Sequence, residues 1–156
     1  MKKDRNNIDP LPSAYSLPRS KILRGRKNFQ RLFEKATFIK KKHVGFRFRI
    51  YDNPDEKCLI GFVVSKKLGK ASTRNKAKRR MREIYRLNQS VLNDLFSMNS
   101  FGFHGVFIAF STDADFHTLE PDMIEILNET RQRICKLRNL SCPDNQIKPN
   151  EQADIG

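Results

Sequence analysis

The stretch from Ser65 to Arg86, SKKLGKASTRNKAKRRMREIYR, constrains this chain more than any other. It carries ten basic residues and one acid, Glu83. Placed on a helix at about 100° per residue, it sorts into two faces. Ala77, Met81, Ile84, Asn88, Val91, Leu92 and Leu95 share one face, with Tyr85 at its edge. Asn75, Arg79, Arg82 and Arg86 share the opposite face, flanked by Lys76 and Lys78. Positive residues at this spacing repel one another by roughly a few tenths of a kcal/mol per pair. A phosphate backbone offsets that repulsion. The planar fork of arginine grips phosphate oxygens bidentately or stacks on a base. A merely solvated helix face is the plainer alternative, but such faces usually mix signs.

Lys66, Lys67 and Lys70 precede the helix in a loop with Gly69, near its positive N-terminal end. Gly69-Lys70 does not make a nucleotide-binding loop. That motif requires Ser or Thr directly after the lysine and a glycine five positions before Gly69, where Ala71 and Val64 stand.

Charge elsewhere points the same way. The 31 Lys and Arg against 17 Asp and Glu give a net charge of +14 and a pI near 10.1. Arg19 to Arg49 holds 12 basic residues and one acid, Glu34, whereas acids outnumber bases after position 90. Concentrated positive charge favours a polyanion partner over a generally solubilising surface. No apolar run approaches the roughly 20 residues of a membrane helix, and the start MKKDRNNIDP lacks a signal-peptide apolar stretch. The expectation is a soluble cytoplasmic protein with no membrane partner. Cys58, Cys135 and Cys142 fit no zinc or CxxC pattern, so reduced bystander thiols are expected.

The 156 residues suit one domain with tails. Residues 1–19 and 141–156 are polar and proline-bearing and are expected to be disordered, leaving a folded domain over 20–140. Asn28 to Lys35 reads as a short helix capped by Asn28, with Phe29, Leu32, Phe33 and Ala36 on one face. Val44 to Tyr51 alternates as a strand, Val44, Phe46, Phe48 and Ile50 pointing one way and Arg47 and Arg49 the other. Leu59 to Ser65 and Gly105 to Phe110 are further strands. A long helix is predicted from Thr73 to about Phe96, capped by Ser72 or Thr73. A final helix is predicted from Pro121 to Leu137, with the proline in its first turn. The order α-β-β-α-β-α implies a two-layer α+β domain.

At these residues a family resemblance emerges. Ser65-Lys66-Lys67-Leu68-Gly69-Lys70-Ala71, followed by Arg74-Asn75-Lys76-Ala77-Lys78-Arg79 and Arg82-Glu83, resembles the hallmark segment of the bacterial ribonuclease P protein family. The family's typical form is SKK-x-G-x-A, then RNR-x-K-R-x-x-R. The resemblance covers about residues 20–137, weakly outside the hallmark. It implies an α+β sandwich with a mainly antiparallel sheet and a left-handed βαβ crossover. It also implies a ribonucleoprotein endonuclease that removes the 5′ leader of precursor tRNA, with catalysis in the RNA subunit and none in this chain. Mg²⁺ would be held mainly by RNA phosphates, and no small-molecule substrate is implied.

Carried over by position, Arg74, Asn75, Lys76, Lys78, Arg79, Arg82 and Arg86 would face the catalytic RNA. Phe29, Phe33, Lys66, Lys67 and Lys70 would line or rim a leader cleft between the sheet and the first helix, with Arg74 at its border. Arg47 or Phe48 would join them from the strand. Single strands are held without strict sequence by aromatic stacking in a basic groove. For about three of Phe29, Phe33, Phe46 and Phe48 simple core packing is the favoured reading, because aromatics at strand and helix periodicity are usually buried. The chain departs from the family at Lys76, where arginine is usual, at Ala36, where glycine is common, and at Phe110-Ser111, where a basic residue often stands.

Two other functions compete. A general nucleic-acid-binding or ribosome-associated protein would share the basic segment. A metal nuclease would want the carboxylates of Asp113, Asp115 and Glu120 with His117. Those acids equally suit the N-terminal end of the last helix, which is the favoured reading.

Overall fold

The computed structural model describes residues 16–98 and 100–140. Of the segments expected to be disordered, 1–15 and 141–156 lie outside the described residues. Residues 16–19 are described and depart from that expectation, because Leu17 packs against the core and the Ser16 carbonyl accepts from Gln89. Four helices and four strands follow one another: α1 (Arg26–Glu34), β1 (Thr37–Lys40), β2 (Val44–Tyr51), β3 (Cys58–Val64), α2 (Ala71–Asn88), α3 (Ser90–Met98), β4 (Gly102–Ala109) and α4 (Phe116–Leu137). The strands make one mixed sheet in the order β1-β2-β4-β3. β1 pairs antiparallel with β2, placing Phe38 opposite Arg47. β2 pairs antiparallel with β4, and β4 runs parallel to β3 with Gly61 opposite Val106 and Val64 opposite Ala109. A parallel pair needs a crossover, which α2 and α3 supply.

Strand alternation divides the sheet into two faces. Ile39, Phe46, Phe48, Ile60, Phe103 and Phe107 form the main core with Met81 and Ile84 of α2, Leu92 and Leu95 of α3, and Met123 and Leu127 of α4. A smaller cluster on the other face packs Leu23, Leu32 and Phe29 against Val106, Leu59, Val63 and Ile108. The helical layer therefore covers one face, and α1 lies across part of the other. Arg131 is buried and locks α4 to α3, donating Nη1 to the Val91 carbonyl at 2.7 Å and to Asp94 Oδ1 at 2.6 Å.

Several boundaries differ from the sequence expectation. α1 starts at Arg26 behind Gly25, whose φ of +96° suits glycine; Asn28 is no cap and instead donates to the Arg24 carbonyl at 2.9 Å. β1 was not expected, being only four residues long. α2 starts at Ala71 behind Lys70, with no side-chain cap from Ser72 or Thr73. The expected single long helix is interrupted at Gln89, which stays right-handed at φ −66° and ψ −17°. Asn88 donates its side chain to the Ile84 carbonyl at 2.8 Å, and Gln89 donates to the Arg86 carbonyl at 3.1 Å. Side chains that take backbone acceptors in this way loosen the helical ladder.

α4 begins five residues before Pro121, capped by Asp115, which accepts from the Thr118 amide at 2.9 Å. Pro121 thus lies inside the helix, where its exposed position leaves the freed carbonyl accessible to water. Cys58 is a free thiol, pushed up to about 11 by burial. Cys135 is disulfide-bonded, contrary to the reduced state expected.

Candidate RNA interface

α2 carries the first surface. Its apolar side, with Ala77, Met81, Ile84 and Tyr85, is buried against the sheet and α4, which orients the helix about its axis. Its outer side holds a shallow concavity of about 430 Å³ lined by Ser72, Asn75, Lys76, Lys78, Arg79 and Arg82. Among the described residues Lys76, Lys78, Arg79 and Arg82 make no side-chain hydrogen bond or ion pair, so their charge is available to a ligand. Arg74 is partly held, donating Nε to the Gly69 carbonyl at 3.1 Å. Arg86 grips Glu83 at 2.6 and 3.0 Å, which lowers the Glu83 carboxyl below its ordinary range. A phosphate reaching Arg86 must displace that carboxylate, so Arg86 stands apart from the unpaired stripe.

The second surface is the partly open face of the sheet beside α1. Phe29 is half-buried among Leu23, Leu32 and Val106, with its ring edge over Gly61 and its centroid 6.3 Å from that of Phe33. Phe33 is 46% exposed, unusual for so large an apolar side chain. Arg47 stands between two aromatics, its guanidinium carbon 5.8 Å from the Phe33 ring centre and 4.5 Å from that of Phe38. Both distances fall within cation–π reach. Phe48 does not take part. It points to the other face, is 1% exposed, and its ring lies against Phe46 and Phe103 at 5.9 and 5.6 Å, so it is core. Of the two strand candidates, Arg47 lies on this face and Phe48 does not.

Lys66 and Lys67 are exposed on a short turn, Lys66–Leu68, whose start is capped by Ser65 Oγ accepting from the Lys67 amide at 3.2 Å. Gly69, at φ +135°, turns the chain toward exposed Lys70 and α2. Because β3 and β4 are parallel neighbours, this turn sits at the same end of the sheet as Phe110. Sequence reasoning missed Phe38 and Phe110 as members of this face. A faint signal existed for Phe38 in the Thr37–Lys40 alternation, but four residues are too few to define a strand.

At the far end of α1, Arg31 bonds Glu56 at 2.8 and 3.2 Å, holding that carboxyl below its ordinary range. Arg49 donates to the Arg31 carbonyl at 2.8 Å. These bonds tie α1 to β2 and to the turn that follows it. The acids after β4 form no such site. Asp115 caps α4, and among the described residues no group of three or more His, Cys, Asp or Glu is placed to hold a metal ion. Nor is any described helix long and apolar enough to cross a membrane.

A family model described as Ribonuclease P matches residues 17–131. The Ribonuclease P protein component of Dictyoglomus thermophilum is 34% identical over 113 residues, covering 72% of this chain and 89% of the relative. The solved RNase P protein from Thermotoga maritima is 30% identical, with a TM-score of 0.56 over 69% of this chain and 96% of that one. The Staphylococcus aureus RNase P protein superposes with a TM-score of 0.57 at 22% identity, covering 71% of this chain and 95% of that one, which speaks for the fold. With the hallmark segment placed on α2 and its preceding turn, and with the fold shared, this chain belongs to the ribonuclease P protein component family.

Proposed function

We propose that this chain, as the protein subunit of ribonuclease P, grips the catalytic RNA with α2 and holds the 5′ leader of precursor tRNA along the open sheet face. The observation that carries this reading is the pairing of two RNA-competent surfaces on one small domain. One is a one-signed helix stripe, Asn75, Lys76, Lys78, Arg79 and Arg82. The other is an aromatic and cationic trough of Phe29, Phe33 and Arg47, rimmed by Lys66, Lys67 and Lys70. Duplex or folded RNA presents phosphates at fixed spacing, which suits the rigid stripe. A single strand offers unstacked bases, which suit the trough.

On this reading the chain supplies binding and orientation, and the chemistry of phosphodiester hydrolysis belongs to the RNA subunit. Mg²⁺ bound by RNA phosphates would stabilise the attacking and leaving oxygens. The chain's own part is to neutralise phosphate charge and to fix the leader relative to the scissile bond, which lowers the entropic cost of alignment.

Cleavage of precursor tRNA in Mg²⁺ tests this directly, with protein alone, RNA subunit alone, and both. The expected result is no cleavage by protein alone and faster cleavage at low salt when protein joins the RNA. Cleavage by protein alone would sink the assignment of catalysis to RNA. No stimulation would leave a general nucleic-acid-binding protein as the better description.

A further inference from the structure

Phe38 and Phe110 meet above Gly45. A methyl group built on Gly45 would come within 2.7 Å of the Phe38 ring and 2.8 Å of the Phe110 ring. Only a glycine lets both rings lie down on the sheet there. Lys40 stands over Phe110, its Nζ 5.7 Å from the ring centre, and Arg47 stands over Phe38. Phe38 remains 38% exposed even so. Among the described residues only two phenylalanines are exposed large hydrophobics, Phe33 and Phe38, and both flank Arg47. A core would bury these rings, and a solvated surface would not collect them. Alternating ring and cation on an exposed sheet face is the chemistry that holds a single-stranded nucleic acid.

Their position adds a second argument. Phe29 and Phe33 lie by α1, whereas Lys66 and Lys67 lie at the end of the edge strand β3. Phe38 continues from Arg47 across β1, and Phe110 follows Ala109, whose partner Val64 immediately precedes the lysine turn. Phe38 therefore carries this face to the β1 edge beyond Arg47, and Phe110 carries it to the end of the sheet where the lysine turn sits. We propose that Phe38 and Phe110 form a second stacking platform for leader nucleotides, making one continuous track from Phe33 to Lys66. This rests on the leader-binding reading above and extends it. It predicts that the chain grips a longer leader than Phe29, Phe33 and Arg47 reach alone.

The test uses the reconstituted holoenzyme and precursor tRNAs whose leaders shorten one nucleotide at a time. Phe38→Leu and Phe110→Leu keep an apolar cover over Gly45 but remove the ring faces, and Phe38→Trp restores one. For each leucine variant, affinity for long leaders should fall about 10-fold while that for the shortest leader and for mature tRNA stays unchanged. Phe38→Trp should bind long leaders like the parent. Equal loss at every leader length would show that the rings merely shield the sheet, and no loss at any length would equally overturn the platform. If Phe33→Leu abolishes leader dependence while the two leucine variants keep it, the platform alone falls. If the parent protein shows no leader dependence, the trough reading and the platform fall together.

Discussion

Arg79 is exposed on the outer side of α2, whereas Arg80 beside it turns inward and donates Nη1 to the carbonyls of Ala114 and Thr112 at 2.8 and 3.4 Å. Arg80 ties α2 to the connection between β4 and α4. Arg80→Ala is expected to lower stability by about 1–2 kcal/mol, seen in the urea midpoint, and to leave the salt dependence of RNA binding intact. Arg79→Ala should do the opposite, reducing the log–log salt slope by about 1 without moving the midpoint. An unchanged slope for Arg79→Ala would argue against a phosphate contact there.

His104 gives a pH prediction. Burial holds its imidazole below the ordinary 6.5, so the folded chain disfavours the proton that the unfolded chain accepts. Stability is then complete above about 6.5 and is lost as pH falls toward the folded value. His104→Gln should flatten the stability curve between pH 7 and pH 5, and a curve of unchanged slope would exclude His104 as the cause. Individual residues were legible in the sequence where charge and period agreed, as for Arg79 and Arg82. Phe48 was not, because period 2 assigns it a face without saying which face is covered.

The elements show the same division. α2 and its buried side were readable over many residues of helical period, and the break at Gln89 was not, because it depends on where amide side chains find acceptors. Gln89 is 1% exposed, donates to the Ser16 carbonyl at 2.8 Å, and accepts from Asn93 at 3.1 Å. Gln89→Ala leaves those groups without a partner and is expected to cost about 1–3 kcal/mol. Hydrogen exchange should show the loosening first at the α2–α3 joint, and uniform loosening would assign the effect elsewhere. β1 escaped sequence reading because its stability comes from pairing with β2 rather than from its own four residues. The start of α4 was misplaced because proline at the first turn is a statistical habit, whereas Asp115 supplies the actual cap. Asp115→Ala should lower the melting temperature more than Asp115→Asn, which keeps an acceptor for the Thr118 amide.

At the scale of the molecule, the hallmark segment pointed to the family, while the faces of the sheet decided which aromatics are available. Phe33 and Phe38 stay exposed because α1 covers only part of one face, an arrangement set by long-range packing that no local pattern encodes. The strand order has a further consequence. β4 lies between β2 and β3, yet the chain makes it after both, with α2 and α3 in between. A chain emerging from the ribosome only as far as Met98 possesses β2 and β3 with no shared neighbour to join them. A fragment of residues 16–98 should therefore lack a cooperative unfolding transition, and one of residues 16–140 should show it; a cooperative shorter fragment would disprove the dependence. Such pairing between distant segments also slows folding. The order of synthesis thus delivers the basic helix into the cell before the sheet that orients it has closed.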